Sequence, residues 1–268
     1  MIKNKKHYPG SICLLLVSIA LSAGSLTAAQ YETGFRNAAR ITQDLQRALS
    51  ASDRQNLSSN PVLLEKVAIP FVQPGEYRTN NSVVRYVSIS DGFINFANYL
   101  SHARSIDEYQ RGFYRGYLDG LRSRSIPAPV FPLVRQDKAW SFDTMNHQVS
   151  HFNQIVAGII AIDMAHHYLG HYRKYARQLV DRNNHAIPIN YFLTPDEWHE
   201  AVMRGSRNAL DCGFSSDGVK LLFDGLSSLK PRPNWSIYFL PENADVHKLA
   251  RDLSKMEDQF FAGMQKKR

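Results

Sequence analysis

The sequence predicts an α+β protein that is mostly helical and has one small sheet. Apolar residues recur at helical spacing in most segments after residue 30, whereas the stretch 83–89 is rich in the β-branched residues of a strand. Strands and helices also do not alternate as they do in a doubly wound sheet. The chain after residue 29 is long enough for one sizeable core, so we predict a single domain over 30–268.

Residues 1–29 are predicted to be a secretory signal peptide. Three lysines precede an apolar run from about Ile12 to Leu21, and small residues follow as far as Ala29. An uncleaved N-terminal anchor is the alternative, but the run is short for a membrane span, and no later segment approaches about twenty apolar residues. We therefore expect an exported protein, periplasmic or extracellular, with no stable membrane span after cleavage.

Charge and cysteine content narrow the expected partners. The formal net charge is +8, and three of the lysines belong to the leader, which leaves a modest positive charge on the mature chain. No run of Lys and Arg is interleaved with aromatic residues, so nucleic acid is not an expected partner. Cleavage removes Cys13 and leaves Cys212 alone, so no intramolecular disulfide is expected. Cys212 is interpreted as a structural thiol.

The remaining elements follow in order. Periodicity predicts helices over 30–50, 93–102 and 106–122, and the strand 83–89 ends in a Ser-Asp-Gly turn. Prolines make "IPAPVFPLV" a loop. A long, largely buried helical region then begins at Asp143 or Thr144 and ends near Asn183. Thr194 and Glu197 form a capping box, with Pro at the first helical position, for a helix over 195–210. Two more helices, 219–229 and 244–265, complete the chain.

Three histidines crowd into the stretch "AIDMAHHYLGH" of the long helical region. His167 and His171 are four residues apart, which places them on one helix face with Asp163 one turn earlier. Such a pair can hold one zinc ion through two ring nitrogens. The alternative is that these histidines complete hydrogen bonds at the edge of the core.

A second pair, His147 and His151, repeats the same spacing near the start of the region. On a continuous helix, the two pairs would lie about 30 Å apart at 1.5 Å per residue. They could share an ion only if the chain breaks between them, and Gly158 is the one obvious place for a break. We therefore treat His147 and His151 as weaker metal candidates.

The order of these features resembles the gluzincin zinc metallopeptidases of the CAAX-protease and periplasmic chaperone-protease kind. "YVSISDGFINFANYL" is similar to that family's strand and turn, "IVAGIIAIDMAHHYLGH" to its metal helix, and "EWHEAVMRGSRNALDCGFSSDGVKLLFDGL" to its later helix. The resemblance implies a zincin-like domain with a small sheet beside the His-bearing helix, and it makes about 103–142 a helical insertion. It also implies bound zinc and a peptide or protein substrate.

The motif departs from the family pattern in either register. In the first register, Ile162 stands at the first zinc ligand, Asp163 at the catalytic glutamate and His166 at the second ligand, while Trp198 stands at the third. Isoleucine and tryptophan offer no lone pair that zinc accepts. His166 is then the remnant of a family ligand, and Asp163 is the candidate base.

The second register makes His167 and His171 the ligand pair and puts Tyr168 at the catalytic position. A phenol with a pKa of about 10 is a poor base near neutral pH. Glu200, on the later helix, is the better third ligand, and Glu197 is a weaker one because the capping box already explains it. We therefore predict that any bound ion is held by His167, His171 and Glu200.

Two functional hypotheses follow. The first is an exported metallopeptidase-like protein with impaired or lost peptidase activity that still holds a divalent ion. The second is a catalytically inactive module of the same fold that binds a peptide or an envelope protein. Under both, the strand 83–89 should lie within about 20 Å of His167, because such sites place a sheet edge beside the metal.

Overall fold

The computed structural model describes residues 31–55, 57, 62–80, 82–122, 126–127, 137–180 and 186–266. The predicted signal peptide and most of the proline-rich loop lie outside these residues. The chain from Thr33 onward forms one compact unit. Its described part is mostly helical with one small sheet, which confirms the predicted fold class. The helices are α1 (Phe35–Ala48), α2 (Ala51–Gln55), α3 (Asp91–Asp107), α4 (Phe113–Leu121), α5 (Phe142–Tyr168), α6 (His171–Tyr175), α7 (Pro195–Asp211), α8 (Asp217–Ser228) and α9 (Val246–Gln265).

The sheet has three strands, β1 (Val62–Glu65), β2 (Val72–Arg78) and β3 (Val83–Ser90), in the order β1-β3-β2. The central strand β3 is parallel to β1 and antiparallel to β2. Val87 and Ile89 of β3 are fully buried. The strand runs directly into α3, because the Ser90 hydroxyl accepts a hydrogen bond from the Phe93 amide and caps the helix.

Helix α5 is the centre of the molecule and packs against α3, α7, α8, α1 and the sheet. Small residues on neighbouring helices allow the close approach. A Cβ added to Gly205 of α7 would lie 2.5 Å from the Ile162 backbone nitrogen, and one added to Gly218 of α8 would lie 2.3 Å from the Gln154 carbonyl carbon. None of the described helices combines the length and the apolarity that a membrane span requires.

The long helical region breaks at Gly170 and does not break at Gly158. Gly158 lies inside α5, where the Val219 side chain packs against it. Helix α5 instead ends at Tyr168, and Gly170 adopts a left-handed conformation with φ of 80° before the short helix α6 begins. The predicted helix through to Asn183 is therefore wrong at its C-terminal end.

A buried polar network ties the start of the described chain to the central helix. The Gln148 side-chain amide of α5 donates to the Thr33 hydroxyl at 3.2 Å and to the Asn98 side-chain oxygen at 2.8 Å. The Thr33 hydroxyl also donates to the Asn98 side-chain oxygen. All three side chains are buried, so these bonds replace the ones that water would make.

The segment predicted as a helical insertion, about 103–142, is helical where it is described. It contains the end of α3, the whole of α4 and a 3-10 turn over Asp137–Trp140. That it is an insertion stays a prediction.

Candidate functional site

His166 and His171 face each other where α5 ends. Their Nδ1 atoms are 3.2 Å apart, and both side chains are buried. The left-handed turn at Gly170 produces this pairing, because it redirects the chain before His171 and removes the regular four-residue relation to His167. The structure thus pairs His171 with the neighbour of the histidine that we chose from the sequence.

The two imidazoles need complementary tautomers, since one Nδ1 must donate and the other must accept. The Glu200 carboxylate lies 3.8 Å from Nε2 of His171, which favours a proton on that nitrogen and leaves Nδ1 of His171 as the acceptor. Burial, together with the neighbouring His171 and His167, lowers the pKa of His166 to about 3. Burial also lowers the pKa of His171. Both rings are therefore neutral near pH 7.

His167 points away from this pair and towards the sheet. Its Nε2 donates a hydrogen bond of 2.9 Å to the backbone carbonyl of Tyr86 in β3. Its Nδ1 is buried and has no partner among the described residues. Burial lowers the pKa of His167 to about 4. The prediction that the strand 83–89 lies beside the His-bearing helix is confirmed by this contact.

Asp163, the candidate base, borders a very small internal cavity together with His166. The cavity has a volume of about 10 Å³ and is otherwise enclosed mainly by apolar side chains, namely Ile159, Ile162, Ile189, Trp198, Phe223, Tyr238 and Phe239. Burial raises the pKa of Asp163 well above its usual value. A space of this size holds about one water molecule, so no peptide reaches the carboxyl group.

Tyr168, the alternative candidate base, lies in a different place. It borders a surface depression that it shares with Asp53 and Arg204, and the Arg204 guanidinium lies 5.8 Å from the centre of its ring. Burial raises the pKa of Tyr168. The two predicted catalytic residues therefore do not converge on a common substrate position.

Glu197 closes the capping box that the sequence predicts. It accepts hydrogen bonds from the Thr194 amide at 3.0 Å, from the Lys174 ammonium at 2.6 Å and from the Tyr175 hydroxyl at 2.8 Å. Burial raises the pKa of Glu197, but these hydrogen bonds outweigh it and lower the pKa to about 2. Glu197 thus joins α6 to α7 and has no free oxygen directed at the histidine pair.

We expect Glu197→Ala to destabilise the protein by about 1–2 kcal/mol, since it removes one half of a capping box and the acceptor of the part-buried Tyr175 hydroxyl. Glu200→Ala is the matched control, three residues along the same helix. Its side chain is 57% exposed, so its loss should change stability by less than about 0.5 kcal/mol. Urea unfolding of both variants measures the difference, and equal effects would contradict the capping role.

His147 and His151, the weaker metal candidates, share one carboxylate. Glu108 at the end of α3 pairs one oxygen with Nδ1 of His147 and the other, at 3.4 Å, with Nε2 of His151. Hydrogen bonds from both rings outweigh its burial and lower the pKa of Glu108. The sequence holds no signal for this partner, which lies 39 residues from His147.

Several residues that border open space near the site were not predicted. A cleft of about 630 Å³ is lined in part by Tyr191, Trp235 and Tyr238, and Tyr238 also encloses the Asp163 cavity. The Asn190 side-chain amide donates to the Ile237 carbonyl at 2.9 Å and so joins the 3-10 turn Ile189–Tyr191 to the 3-10 turn Asn234–Tyr238. Residues of both turns line the cleft and the cavity. Neither turn has a periodicity from which its position could be predicted.

The residues do not fit the catalytic zinc site of a metallopeptidase. Ile162 and Trp198, which stand at two of the family's ligand positions, are buried in the core, and Trp198 packs on Phe223. Across the described ranges, no three His, Cys, Asp or Glu side chains are grouped so that they could hold one metal ion. A zinc that activates water needs three protein ligands and an open position. The structure brings together two potential metal ligands at the end of α5, the imidazoles of His166 and His171.

Comparison of the chain with protein-family models, with curated proteins and with solved structures gives no match. The resemblance to the gluzincins therefore stays a prediction.

Proposed function

We propose that the protein is an exported, metallopeptidase-like binding protein that does not hydrolyse peptides and that holds one divalent ion, zinc in the first instance, between His166 and His171. The observation that carries the ion is the separation of 3.2 Å between the two Nδ1 atoms. Two nitrogens bound tetrahedrally at the usual zinc distance are about 3.4 Å apart. The ion would take the place of the proton that the two rings share.

The surroundings of the pair suit an ion as well as a hydrogen bond. The Glu200 carboxylate lies near Nε2 of His171, whereas Nδ1 is the ring nitrogen that faces His166. At 3.8 Å the carboxylate is beyond hydrogen-bond distance, but its charge favours a proton on Nε2 of His171, which leaves Nδ1 as the ligating nitrogen. Both rings are neutral near pH 7, which is the form that binds a metal.

The absence of hydrolysis is argued from the surroundings of the candidate bases. Asp163 is enclosed in a cavity of about 10 Å³, and Tyr168 borders a separate depression. A general base must lie within hydrogen-bond reach of the water that it activates, next to the scissile bond. Neither side chain meets this requirement, so we assign neither a catalytic step.

We expect the purified protein to take up one zinc ion per chain at pH 7.5 and to cleave no peptide. His166→Ala and His171→Ala should each abolish uptake, whereas His167→Gln, which keeps a donor for the Tyr86 carbonyl, should retain it. Elemental analysis after dialysis measures the stoichiometry. All four proteins should carry His147→Ala and His151→Ala, so that the exposed pair contributes no ion.

Retention of zinc by His166→Ala together with its loss in His167→Gln would contradict this assignment and would restore the register that we chose from the sequence. If the wild-type pair takes up no zinc, the metal-free binding module is the function that remains. Zinc-dependent cleavage of casein or of a peptide library would refute the proposal that the protein does not hydrolyse peptides.

A further inference from the structure

The cleft of about 630 Å³ beside the Asp163 cavity has the size of a small-molecule site. Its rim exposes large apolar side chains, with Tyr191 60% and Ile69 45% exposed. Pro188, Pro231 and Pro233 form further parts of its lining. Together, these residues present an apolar surface that a ligand could remove from water.

The charged side chains of this lining are cationic. Arg122 and Arg232 line the cleft, and no carboxylate does so among the described residues. Arg122 also pairs with Asp119 at 2.8 Å, an exposed residue outside the lining. Arg232 donates through Nη1 to the backbone carbonyls of Leu240 and Pro241 at 3.3 and 3.2 Å, which fixes the guanidinium group in place. Its other nitrogens have no partner among the residues described.

We propose that the cleft binds an apolar molecule that carries one carboxylate. The apolar body would lie against Ile69, Tyr191 and the prolines, and the carboxylate would accept hydrogen bonds from Arg232 and Arg122. A fatty acid and the C-terminal end of an apolar peptide share this chemistry. The proposed contacts include neither His166 nor His171, so this proposal can be tested independently of zinc binding.

Isothermal titration with two matched pairs of probes tests this proposal at pH 7.5. Decanoate is compared with decanol, and the peptide acetyl-Leu-Leu-Phe with its C-terminal amide. At least one of the two acids should bind, and its neutral analogue should bind about tenfold more weakly or worse, because the charge-assisted hydrogen bonds are lost. Binding of decanoate alone identifies a lipid acid, and binding of the peptide acid alone identifies a peptide terminus.

Substitutions assign the contacts to this cleft. Arg232→Gln and Arg122→Gln should each weaken binding of the acid several-fold, and Tyr191→Ala should weaken both members of a pair. Arg251→Gln, at an exposed arginine of α9 outside the cleft, is the control and should leave binding unchanged. Because Arg232 also holds two backbone carbonyls, Arg122→Gln and Tyr191→Ala keep the test decisive if Arg232→Gln does not fold.

The proposal is overturned if neither acid binds, or if decanol and the peptide amide bind as tightly as the acids. It is also overturned if Arg122→Gln and Tyr191→Ala bind the acid as the wild-type protein does.

Discussion

The metal-free protein is expected to lose about 4 kcal/mol less stability between pH 7 and pH 5 when His166 is replaced by Asn and His167 by Gln. Both rings are buried in the folded protein, and their pKa values are lowered to about 3 and about 4. An unfolded histidine titrates near pH 6.5. The unfolded chain therefore binds two protons that the folded chain does not.

The sign of the effect follows from this difference. As the pH falls below about 6.5, proton uptake favours the unfolded chain, and the loss continues until the folded rings titrate near pH 4 and pH 3. At pH 5, each histidine has cost the protein about 2 kcal/mol at 1.36 kcal/mol per pH unit. Asp163 acts in the opposite direction, because its raised pKa lets the folded protein bind a proton that the unfolded chain does not. The comparison of variants isolates the histidines from this opposing contribution.

Urea unfolding at pH 7, 6 and 5 in the presence of a chelator measures the effect. Asn and Gln are chosen because their amides can replace Nδ1 of His166 and Nε2 of His167, which are the atoms that make the observed hydrogen bonds. His247→Gln, at an exposed position of α9, is the control and should follow the wild-type pH dependence. An unchanged pH dependence in the double variant would show that the two rings are not held neutral by burial.

Gly205→Ala is expected to destabilise the protein by about 3 kcal/mol or more, because it overpacks a helix crossing. The added Cβ would lie 2.5 Å from the Ile162 backbone nitrogen and 2.6 Å from the Ile162 Cα. Backbone atoms cannot rotate away as the end of a side chain can, so α7 and α5 must move apart. The shift would also move Glu200 relative to His171, so we expect weaker zinc uptake in this variant.

Gly116→Ala is the matched control for this prediction. Gly116 lies within α4, is exposed and has no heavy atom within 4 Å of the position of an added Cβ. Alanine should therefore stabilise the protein by about 0.5–1 kcal/mol through its higher helix propensity. Thermal unfolding of both variants measures the contrast, and a neutral Gly205→Ala would show that the two helices are not in close contact at this point.

Much of the fold follows from local chemistry that the sequence displays. The Thr194 capping box and its proline fix the start of α7, and the β-branched run over 83–89 fixes β3. The end of α5 was mispredicted because the apolar pattern continues past Gly170, whereas its left-handed conformation ends the helix. A glycine that follows basic residues in the last helical turn is a signal for a helix end, and His166 and His167 before Gly170 would have identified this one.

The candidate site was predicted less well, because its geometry depends on that break. Residues His166, His171 and Glu200 were all singled out from the sequence, but four-residue spacing favoured His167 over His166 as the partner of His171. Spacing on a regular helix cannot show that one ring turns to a neighbouring imidazole and the next to a strand carbonyl. The contact of His167 with Tyr86 spans 81 residues, and that of His147 with Glu108 spans 39. A single sequence contains no pattern that predicts contacts at such separations.

The buried network of Thr33, Asn98 and Gln148 has a consequence for how the chain folds as it is made. Thr33 leaves the ribosome well before Gln148, which follows 115 residues later. Until then, neither Thr33 nor Asn98 has the amide that joins them to α5, and α1 lacks the central helix against which it packs. Contacts that span so much of the chain form late and slow folding. The N-terminal half is therefore expected to stay open and accessible to protease until the residues of α5 have been synthesised.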